Sequence, residues 1–423
     1  MLSMCRPVRA KTSKVSVGGP AGVAGETPTA AAASRTRATV RRDDLLIFRV
    51  SIEAEARLAT PGAGRRSAYD RRVIGIALLT LVPGELGGSE TATRGLLRGL
   101  ASAGKLEYRV FAPPVAPDAG EGLPTEIVSE YRPAHTIPER LTAMGLAAAR
   151  PAPLRKHLDG AEVIHYPLTI AIPPARVPTV VTLYDVQHLD LPEMFSRAER
   201  AFRALAYHRS VRSAARVIVS SEFVRDRAVE KLLLDPGRIR VIPFGIDHAT
   251  FSPGSDLREP FLLYPARDWP HKNHERLFHT FALLRRVRPD LRLVLTGGGD
   301  PGTRSVPKGV EVHGHVTPEE LVSLYRRASA LVFPSLYEGF GQPPLEAMAC
   351  GCPVACSDAA SLPEVCGDAA RYFDPKDTDQ MVDAVLDVLA EPDEWRRRGL
   401  ERAAQFTWER TALAHEDVYR ELL

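Results

Sequence analysis

The sequence has little of what would mark a specialised class of protein. No apolar run approaches the roughly 18 residues of a membrane-spanning helix, and the apolar stretch 73–82 is short enough to be a strand. Five cysteines in 423 residues do not make a disulfide framework and fit a reducing cytosol. A formal net charge of +3 is too small to indicate a nucleic-acid partner. These absences predict a globular cytoplasmic protein and leave peripheral association with the inner face of the membrane open.

The length and composition predict two folded domains behind an unfolded extension. Apolar residues make up 44% of the chain and charged residues 25%, which is ordinary for globular proteins. A chain of 423 residues is too long for one ordinary core. Residues 1–70 are rich in Ala, Gly, Ser, Thr, Pro and Arg and have little periodicity, so we expect a disordered or low-complexity extension.

From Arg72 onward, apolar strands alternate with amphipathic helices. The predicted strands are 71–80, 108–112, 163–166, 179–184, 216–220, 240–243, 261–265, 292–295, 310–313 and 330–334. The predicted helices are 89–103, 197–213, 222–233, 273–287 and 318–328, followed by a helical tail interrupted near Pro392 and Phe406.

A Pro-, Gly- and Asp-rich loop at 247–260 breaks this rhythm and predicts the domain boundary. The expected division is a first α/β domain at 71–250, a second at 251–405, and a final helix at 406–423 that could pack back on the first domain. Alternating strands and helices imply parallel sheets covered on both faces. Two such domains would place the carboxyl ends of both sheets at a shared cleft, where ligands bind.

The segment LVFPSLYEGFGQPPLEAMACGCPV, residues 331–354, predicts a site for an anionic ligand. An apolar strand leads through a loop with Glu338, Gly339 and Gly341 into a helix that carries Glu346. Unpaired backbone N–H groups and the helix dipole favour negative charge there. The two carboxylates would repel phosphate, so they more plausibly bind hydroxyls. A ligand with phosphates and many hydroxyls is a sugar nucleotide; the alternative is a capped helix with two surface glutamates.

Two further loops are candidates for contact with that ligand. In PARDWPHKN, residues 265–273, Arg267 and Lys272 follow a strand and could neutralise a diphosphate, although solvated loop cations are the alternative. Gly87 and Gly88, just before a helix, would let the backbone approach a ligand closely, but an ordinary turn fits as well.

A third loop, TLYDVQHLDLPE at 182–193, carries groups able to accept a proton. Asp185 or His188 could take the proton of an acceptor hydroxyl. A capping aspartate and a surface histidine are the alternative reading.

The sequence does not predict a metal site. Four cysteines near residues 350–366 lie in an apolar context without zinc-type spacing. The pair Asp377 and Asp379 resembles a metal-binding D-x-D pattern, but Gln380 follows Asp377 by three residues, which predicts a helix cap instead.

Together these segments resemble the retaining glycosyltransferases of group 1, family 4, which have the GT-B architecture of two facing Rossmann-like domains. The resemblance covers roughly residues 72–420. It is carried by the blocks GGSE, VIVSSEFVRD, RIRVIPFGID, RDWPHKN, LVLTGGG, VHGHVTPEELVSLYRRASALVFPSLYEGFGQPPLEAMACGCPV and SLPEVCGDAARYFDP.

The resemblance implies a role for each matching residue of the second domain and for two glycines of the first. Glu338 would lie beside the transferred sugar and its reacting centre, and Glu346 would bind the ribose. Arg267 and Lys272 would hold the diphosphate. The backbone of Gly339, Phe340 and Gly341 would help them, the backbone of Val316 would contact the base, and Gly87 and Gly88 would close over the donor from the first domain.

The chain departs from the family at Tyr184, where many members have histidine before the aspartate equivalent to Asp185. That histidine often contacts the sugar, so the resemblance leaves the sugar-side residue of the first domain open. His188 or His165 could compensate.

The expected function is transfer of a hexose from a nucleotide-diphosphate sugar to a hydroxyl of a glycan or glycolipid, with mannose slightly favoured as the hexose. We expect retention at the anomeric carbon and no requirement for a metal or other cofactor. The alternatives are a sugar-nucleotide epimerase of GT-B fold and a non-catalytic sugar-nucleotide-binding protein. The sequence predicts no oligomeric state.

Overall fold

Strands alternate with helices throughout the part of the chain that this computed structural model describes, residues 72–132, 135–298 and 306–423. The predicted extension at 1–70 lies outside the described residues. The strands form two sheets, and every pairing within each sheet is parallel. The predicted class, α/β with two parallel sheets, is confirmed.

The first sheet has seven strands in the order β3-β2-β1-β4-β5-β6-β7. In chain order they are β1 (Val73–Ala77), β2 (Glu107–Ala112), β3 (Thr125–Ile127), β4 (Val163–Tyr166), β5 (Thr179–Thr182), β6 (Arg216–Val219) and β7 (Ile239–Val241). The central strands β1, β4, β5 and β6 are mostly apolar and buried on both faces, as helix-covered parallel strands require, whereas the edge strands β3 and β7 are less buried.

Seven α-helices accompany this sheet within the described residues. They are α1 (Gly88–Ala103), α2 (Ile137–Ala149), α3 (Ala152–Leu158), α4 (Gln187–Asp190), α5 (Arg197–Arg203), α6 (Arg209–Ser213) and α7 (Glu222–Leu232). A π-helical turn, Ala204–His208, joins α5 to α6, so the predicted helix at 197–213 is continuous but not uniform.

The second sheet has six strands in the order β10-β9-β8-β11-β12-β13. They are β8 (Glu259–Pro265), β9 (Arg292–Thr296), β10 (Val310–Val312), β11 (Ala328–Phe333), β12 (Val354–Ser357) and β13 (Arg371–Phe373). The remaining α-helices are α8 (His274–Val287), α9 (Pro318–Arg327), α10 (Gln342–Ala349), α11 (Leu362–Cys366), α12 (Thr378–Ala390), α13 (Pro392–Ala403) and α14 (Trp408–Arg420).

Several helices begin where a side-chain oxygen satisfies the first backbone N–H groups. Ser221 accepts from the N–H of Val224 at the start of α7. Asp377 accepts from the N–H groups of Asp379 and Gln380 at the start of α12. The predicted capping role of Asp377 is therefore confirmed.

The chain passes between the two sheets twice, after β7 and after α13. These passages meet at a bridge between Ile246 and Thr407. The final helix, α14, then packs along α1 of the first sheet. The described residues from 72 onward belong to one compact unit, so the boundary at residue 250 stays a prediction.

Within the described residues, none of the helices combines the length and apolar character needed to cross a membrane.

Candidate active site

A cavity of about 670 Å³ lies where the carboxyl ends of the two sheets face each other. Its walls come from loops that follow strands, including those after β5 and β6 of the first sheet and after β8 and β11 of the second. Ligands of open parallel sheets bind at this edge. Nine of the eleven predicted site residues line the cavity, and the exceptions are Glu346 and Val316.

Glu338 and Lys272 form a close ion pair on the wall made by the second sheet. Lys272 Nζ lies 2.6 Å from Glu338 Oε1, and the two side chains are 14% and 13% exposed. Lys272 ends the short turn after β8, and Glu338 follows β11, so neighbouring strands bring the pair together. The ammonium group is thereby held at the cavity wall, where it can meet an anion.

Arg267 reaches from the second sheet to the glycine loop of the first. Its Nη2 donates to the carbonyl oxygen of Gly84 at 3.2 Å, and its guanidinium group lies 5.6 Å from the ring centre of Trp269. Gly87 has φ +55° and faces this arginine, since a Cβ built there would lie 3.9 Å from Arg267 Cζ. Gly88 begins α1 directly after it. Arg267, which was predicted to hold the diphosphate, therefore lies beside the loop of Gly87 and Gly88, which was predicted to close over the donor.

The loop Gly339–Gly341 lines the cavity with its backbone. The Phe340 ring is turned away into the core, edge-on to Phe244 at 5.0 Å. Gly341 has φ +104° and is the N-cap of α10, a left-handed conformation that glycine adopts without strain. The main chain of this loop, rather than its side chains, faces a ligand.

Glu346 lies on α10 but is only 8% exposed and does not line the cavity. It accepts a hydrogen bond from Tyr325 Oη at 3.1 Å. Burial raises the pKa of the Glu346 carboxyl to about 7, although the tyrosine hydrogen bond acts in the opposite direction. Val316 is half-buried near α9. The proposed roles of both residues toward a nucleoside remain predictions.

Asp185 follows β5 and lines the cavity opposite the ion pair. Its Oδ1 accepts from the N–H of Gln187 at 2.9 Å and lies 3.5 Å from Arg203 Nη1. The Arg203 guanidinium group lies over the rings of Phe195 and Tyr207 at 4.8 and 5.4 Å. Arg203 thus places a third positive charge on the cavity wall, and it was missed in the sequence because only its position in space marks it.

His165 and His188, which could compensate for the histidine that many family members have in place of Tyr184, do not line the cavity. His165 is fully buried, with its ring nitrogens 2.9 Å from Thr182 Oγ1 and 2.8 Å from Tyr419 Oη. His188 is 2% exposed and its Nε2 lies 2.9 Å from that of His208. Burial, together with the charge of Arg203, lowers the pKa of His188 to about 4. His188 is therefore neutral at pH 7 and packed inside the protein.

Tyr184 itself lines the cavity and holds the start of α1. Its hydroxyl lies 3.1 Å from both the carbonyl oxygen of Ser89 and Thr93 Oγ1. The tyrosine thus ties the loop after β5 to the helix that carries the glycine loop.

His271 is a neutral imidazole beside the two cations of the second wall. It is mostly buried but still lines the cavity. Burial and the charge of Lys272 lower the pKa of His271 to about 4. It adds no charge at pH 7.

Four sets of hydrogen bonds join the two walls around the cavity, and sequence reasoning found none of them. Ser220 and Ser221 donate to the carbonyl oxygen of Gly339 at 3.1 and 2.7 Å. Glu364 accepts from the N–H groups of Glu222 and Phe223 at 2.8 and 3.2 Å. The other two are Tyr337 Oη to Asp190 Oδ2 at 3.1 Å and Arg267 to Gly84. The only sequence signal was that several of these residues fall in the blocks VIVSSEFVRD and SLPE.

Among the described residues, no group of three or more His, Cys, Asp or Glu side chains is placed to hold a metal ion. The four described cysteines are buried and free. The expectation that no metal is required stays a prediction.

Sequence comparison gives matches along both halves. Residues 86–250 match the profile of Glycosyltransferase Family 4, and residues 246–406 match that of Glycosyl transferases group 1. The chain is 31% identical over 287 residues to O-antigen chain mannosyltransferase B of Escherichia coli, covering 62% of this chain and 75% of that protein. It is 30% identical over 223 residues to O-antigen chain mannosyltransferase RfbU of Salmonella typhimurium, covering 50% and 61%. A third relative, the MMP alpha-(1->4)-mannosyltransferase of Mycolicibacterium hassiacum, is 32% identical over 220 residues, covering 48% of this chain and 52% of that protein.

Solved structures share the fold. Sucrose-phosphate synthase from Thermosynechococcus elongatus superposes with a TM-score of 0.67 at 24% identity, covering 83% of this chain and 99% of that one. HepE from Anabaena, solved with UDP and glucose, superposes with a TM-score of 0.62 at 16% identity, covering 83% of this chain and 100% of that one. The predicted GT-B architecture is confirmed.

The ion pair, the glycine loop and the second cation occupy the edge where both sheets end, and both halves match profiles of sugar-transferring enzymes. The chain belongs to the group 1, family 4 glycosyltransferases.

Proposed function

We propose that this protein transfers a hexose, with mannose favoured, from a nucleotide-diphosphate sugar to a hydroxyl of a glycan or glycolipid, with retention at the anomeric carbon. The observation that carries the proposal is the wall on which Lys272, Glu338 and the backbone of Gly339–Gly341 meet. Mannose is favoured because the relatives described above are mannosyltransferases.

The donor diphosphate would lie against this wall. Lys272 is a compact point charge. Arg267 can bind two phosphate oxygens once it gives up its hydrogen bond to the Gly84 carbonyl oxygen. The start of α10 favours an anion mainly through the positive end of its helix dipole, because Pro343 and Pro344 have no N–H groups. Positive charge and amides fixed in place before the reaction stabilise the charge that grows on the departing phosphate, and this is usually the largest catalytic contribution.

In the transfer step, the bond between the anomeric carbon and the diphosphate oxygen breaks while the acceptor oxygen bonds to that carbon from the same face. The acceptor proton passes to the leaving phosphate. Glu338 would lie beside the reacting centre, with its charge balanced by Lys272, and Asp185 would face the acceptor from the other wall. No step requires a metal when these cations suffice.

The direct test measures release of nucleoside diphosphate from GDP-mannose and from UDP-hexoses, with and without a mannose-containing acceptor. We expect release that depends on the acceptor and an α-linked product by NMR, which reports retention from an α-linked donor. Epimerised donor without acceptor would support the epimerase instead. Donor binding without turnover for any acceptor would support the non-catalytic binding protein.

A thermal-shift screen tests the proposed ribose contact. We expect one diphospho-sugar to stabilise the wild type and to lose most of that effect in Glu346→Ala. Equal shifts in both proteins would remove Glu346 from the donor site. The cytoplasmic location and association with a membrane surface stay predictions.

A further inference from the structure

Three buried serine hydroxyls hold the carbonyl groups of the glycine loop. Ser361 Oγ lies 2.9 Å from the carbonyl oxygen of Glu338 and 2.8 Å from that of Phe340. The carbonyl between them, on Gly339, accepts from Ser220 and Ser221. All three serines are at most 1% exposed. The carbonyl side of the loop is therefore fully occupied by the protein.

This arrangement fixes where the amide groups point. In a trans peptide the N–H of one residue points opposite to the carbonyl of the residue before it. Drawing the carbonyls of residues 338–340 toward the serines turns the N–H groups of Gly339, Phe340 and Gly341 the other way. These residues line the cavity, and within the described part of the chain none of the three N–H groups donates a hydrogen bond. Successive free N–H groups of this kind form an anion-binding nest.

The serines come from different halves of the molecule. Ser361 belongs to the second sheet and lies just before α11, in the same half as the loop. Ser220 and Ser221 follow β6 of the first sheet and are the only described groups that bond the Gly339 carbonyl. The peptide between Gly339 and Phe340 is thus oriented from across the cavity.

Close approach of the two halves at this point depends on Gly339. A Cβ added to this residue would lie 2.1 Å from the carbonyl oxygen of Tyr184, which belongs to the first sheet's wall. Since a methyl group has no room there, the first half can reach the Gly339 carbonyl only because the residue is glycine.

We propose that Ser220 and Ser221 are positioning residues that complete the amide nest only when the two halves are in contact. Closure around the substrates then does more than exclude water, because it also aims the Phe340 N–H at the departing phosphate. This inference rests on the proposed function, since it assigns the nest to the donor diphosphate.

The test compares Ser220→Ala and Ser221→Gly with wild type. Ser221 also caps α7, and glycine is chosen there because it replaces a serine cap at a cost of only a few tenths of a kcal/mol. Ser329→Ala is the matched control, because that hydroxyl also donates to a backbone carbonyl, of Glu259 at 2.6 Å, but lies outside the cavity lining. For each protein the measurements are the melting temperature, the Kd for GDP and the kcat and KM for the sugar nucleotide.

We expect kcat to fall about a hundredfold in the double variant, since loss of one oriented donor costs about 10²- to 10³-fold. Each single variant should lose less, because the other serine still holds the Gly339 carbonyl. The GDP Kd, the donor KM and the melting temperature should stay close to wild type, and Ser329→Ala should match wild type throughout. A purely structural role for the serines would lower the melting temperature without this selective loss of kcat.

Wild-type kcat in the double variant would overturn the inference and leave the proposed function intact. Equal losses of kcat and GDP affinity would overturn the link to closure, because the nest would then act on the bound nucleotide alone. A wild-type protein that turns over no sugar nucleotide would overturn the proposed function and this inference with it.

Discussion

Two regions of this glycosyltransferase are built differently: the place where the returning helix α14 is anchored on the first half, and the place where the two halves face each other. At the helix junction, defined by α1 against α14 with Tyr108 and Glu416, the contact is buried and closely packed. Trp408 lies so near Gly95 that a Cβ there would be 2.2 Å from its ring. Glu416, 2% exposed, accepts from Tyr108 Oη and the Lys105 N–H, both at 2.6 Å.

At the cleft junction, defined by the four sets of hydrogen bonds around the cavity, the halves are joined by these separate bonds, with edge-on ring contacts of Phe340 to Phe244 and of Tyr337 to Phe223 beside them. These bonds can be exchanged for bonds to water at modest net cost, whereas buried packing cannot. From this difference we expect the helix junction to stay fixed while the cleft junction opens and closes. The following predictions test this comparison, from the largest expected effect to the smallest.

Lys272→Ala should have the largest effect, confined to turnover. Removing the ammonium group takes away charge stabilisation of the departing phosphate and leaves Glu338 without its partner. We expect kcat to fall by about 10²- to 10³-fold with little change in the melting temperature. The control is Lys376→Ala, an exposed lysine outside the cavity. Turnover within a factor of two of wild type would remove Lys272 from the mechanism.

Gly339→Ala adds one methyl group at the cleft junction. Its Cβ would lie 2.1 Å from the Tyr184 carbonyl oxygen, so the two walls cannot meet as they do here. We expect kcat to fall by more than about tenfold, by loss of one oriented donor, while thermal unfolding changes little. Gly145→Ala, on α2 with no atom near the added methyl, is the control. If Gly339→Ala turns over normally, the walls do not need this contact.

Gly99→Ala adds the same methyl group at the helix junction. Its Cβ would lie 2.5 Å from the carbonyl oxygen of Trp408, so α14 must shift. Overpacking of this kind costs about 1–3 kcal/mol, and we expect the melting temperature to fall by several degrees. Turnover at 25 °C should remain, since the cavity is untouched. A variant that is stable but inactive would reverse the assignment of the two junctions.

Glu416→Gln should have a smaller, pH-dependent effect on stability. Burial alone would raise the pKa of Glu416, but hydrogen bonds from Tyr108, the Lys105 N–H and Arg420 outweigh it and lower the pKa. Ionised Glu416 therefore stabilises the fold above its unfolded pKa of about 4.5, and this contribution is lost as the pH falls through the lower folded value. We expect denaturant unfolding to show a deficit of about 1–2 kcal/mol at pH 7 that shrinks in acid. A deficit that is the same at every pH would contradict the ionised role.

The sequence predicted the second sheet's wall better than the first. Arg267, Lys272 and Glu338 lie in the loops after the apolar strands β8 and β11, and the carboxyl ends of neighbouring parallel strands must meet at one edge. The strands β3 and β13 were not predicted because three residues give too little periodicity, and α2 was not predicted because it is only weakly amphipathic.

The contacts across the cavity were beyond sequence reasoning for a different reason. Ser220 and Gly339 are 119 residues apart, and their hydrogen bond depends on how the halves face each other. The burial of Glu346 beneath Tyr325 has the same origin, since it depends on how α9 packs on α10.

The most direct test of the central claim is a crystal structure with GDP bound. We expect the diphosphate within hydrogen-bond distance of Lys272 Nζ and the N–H groups of Gly339–Gly341, with Arg267 turned from Gly84 to the phosphates. Nucleotide bound with its phosphates away from this wall would contradict the account.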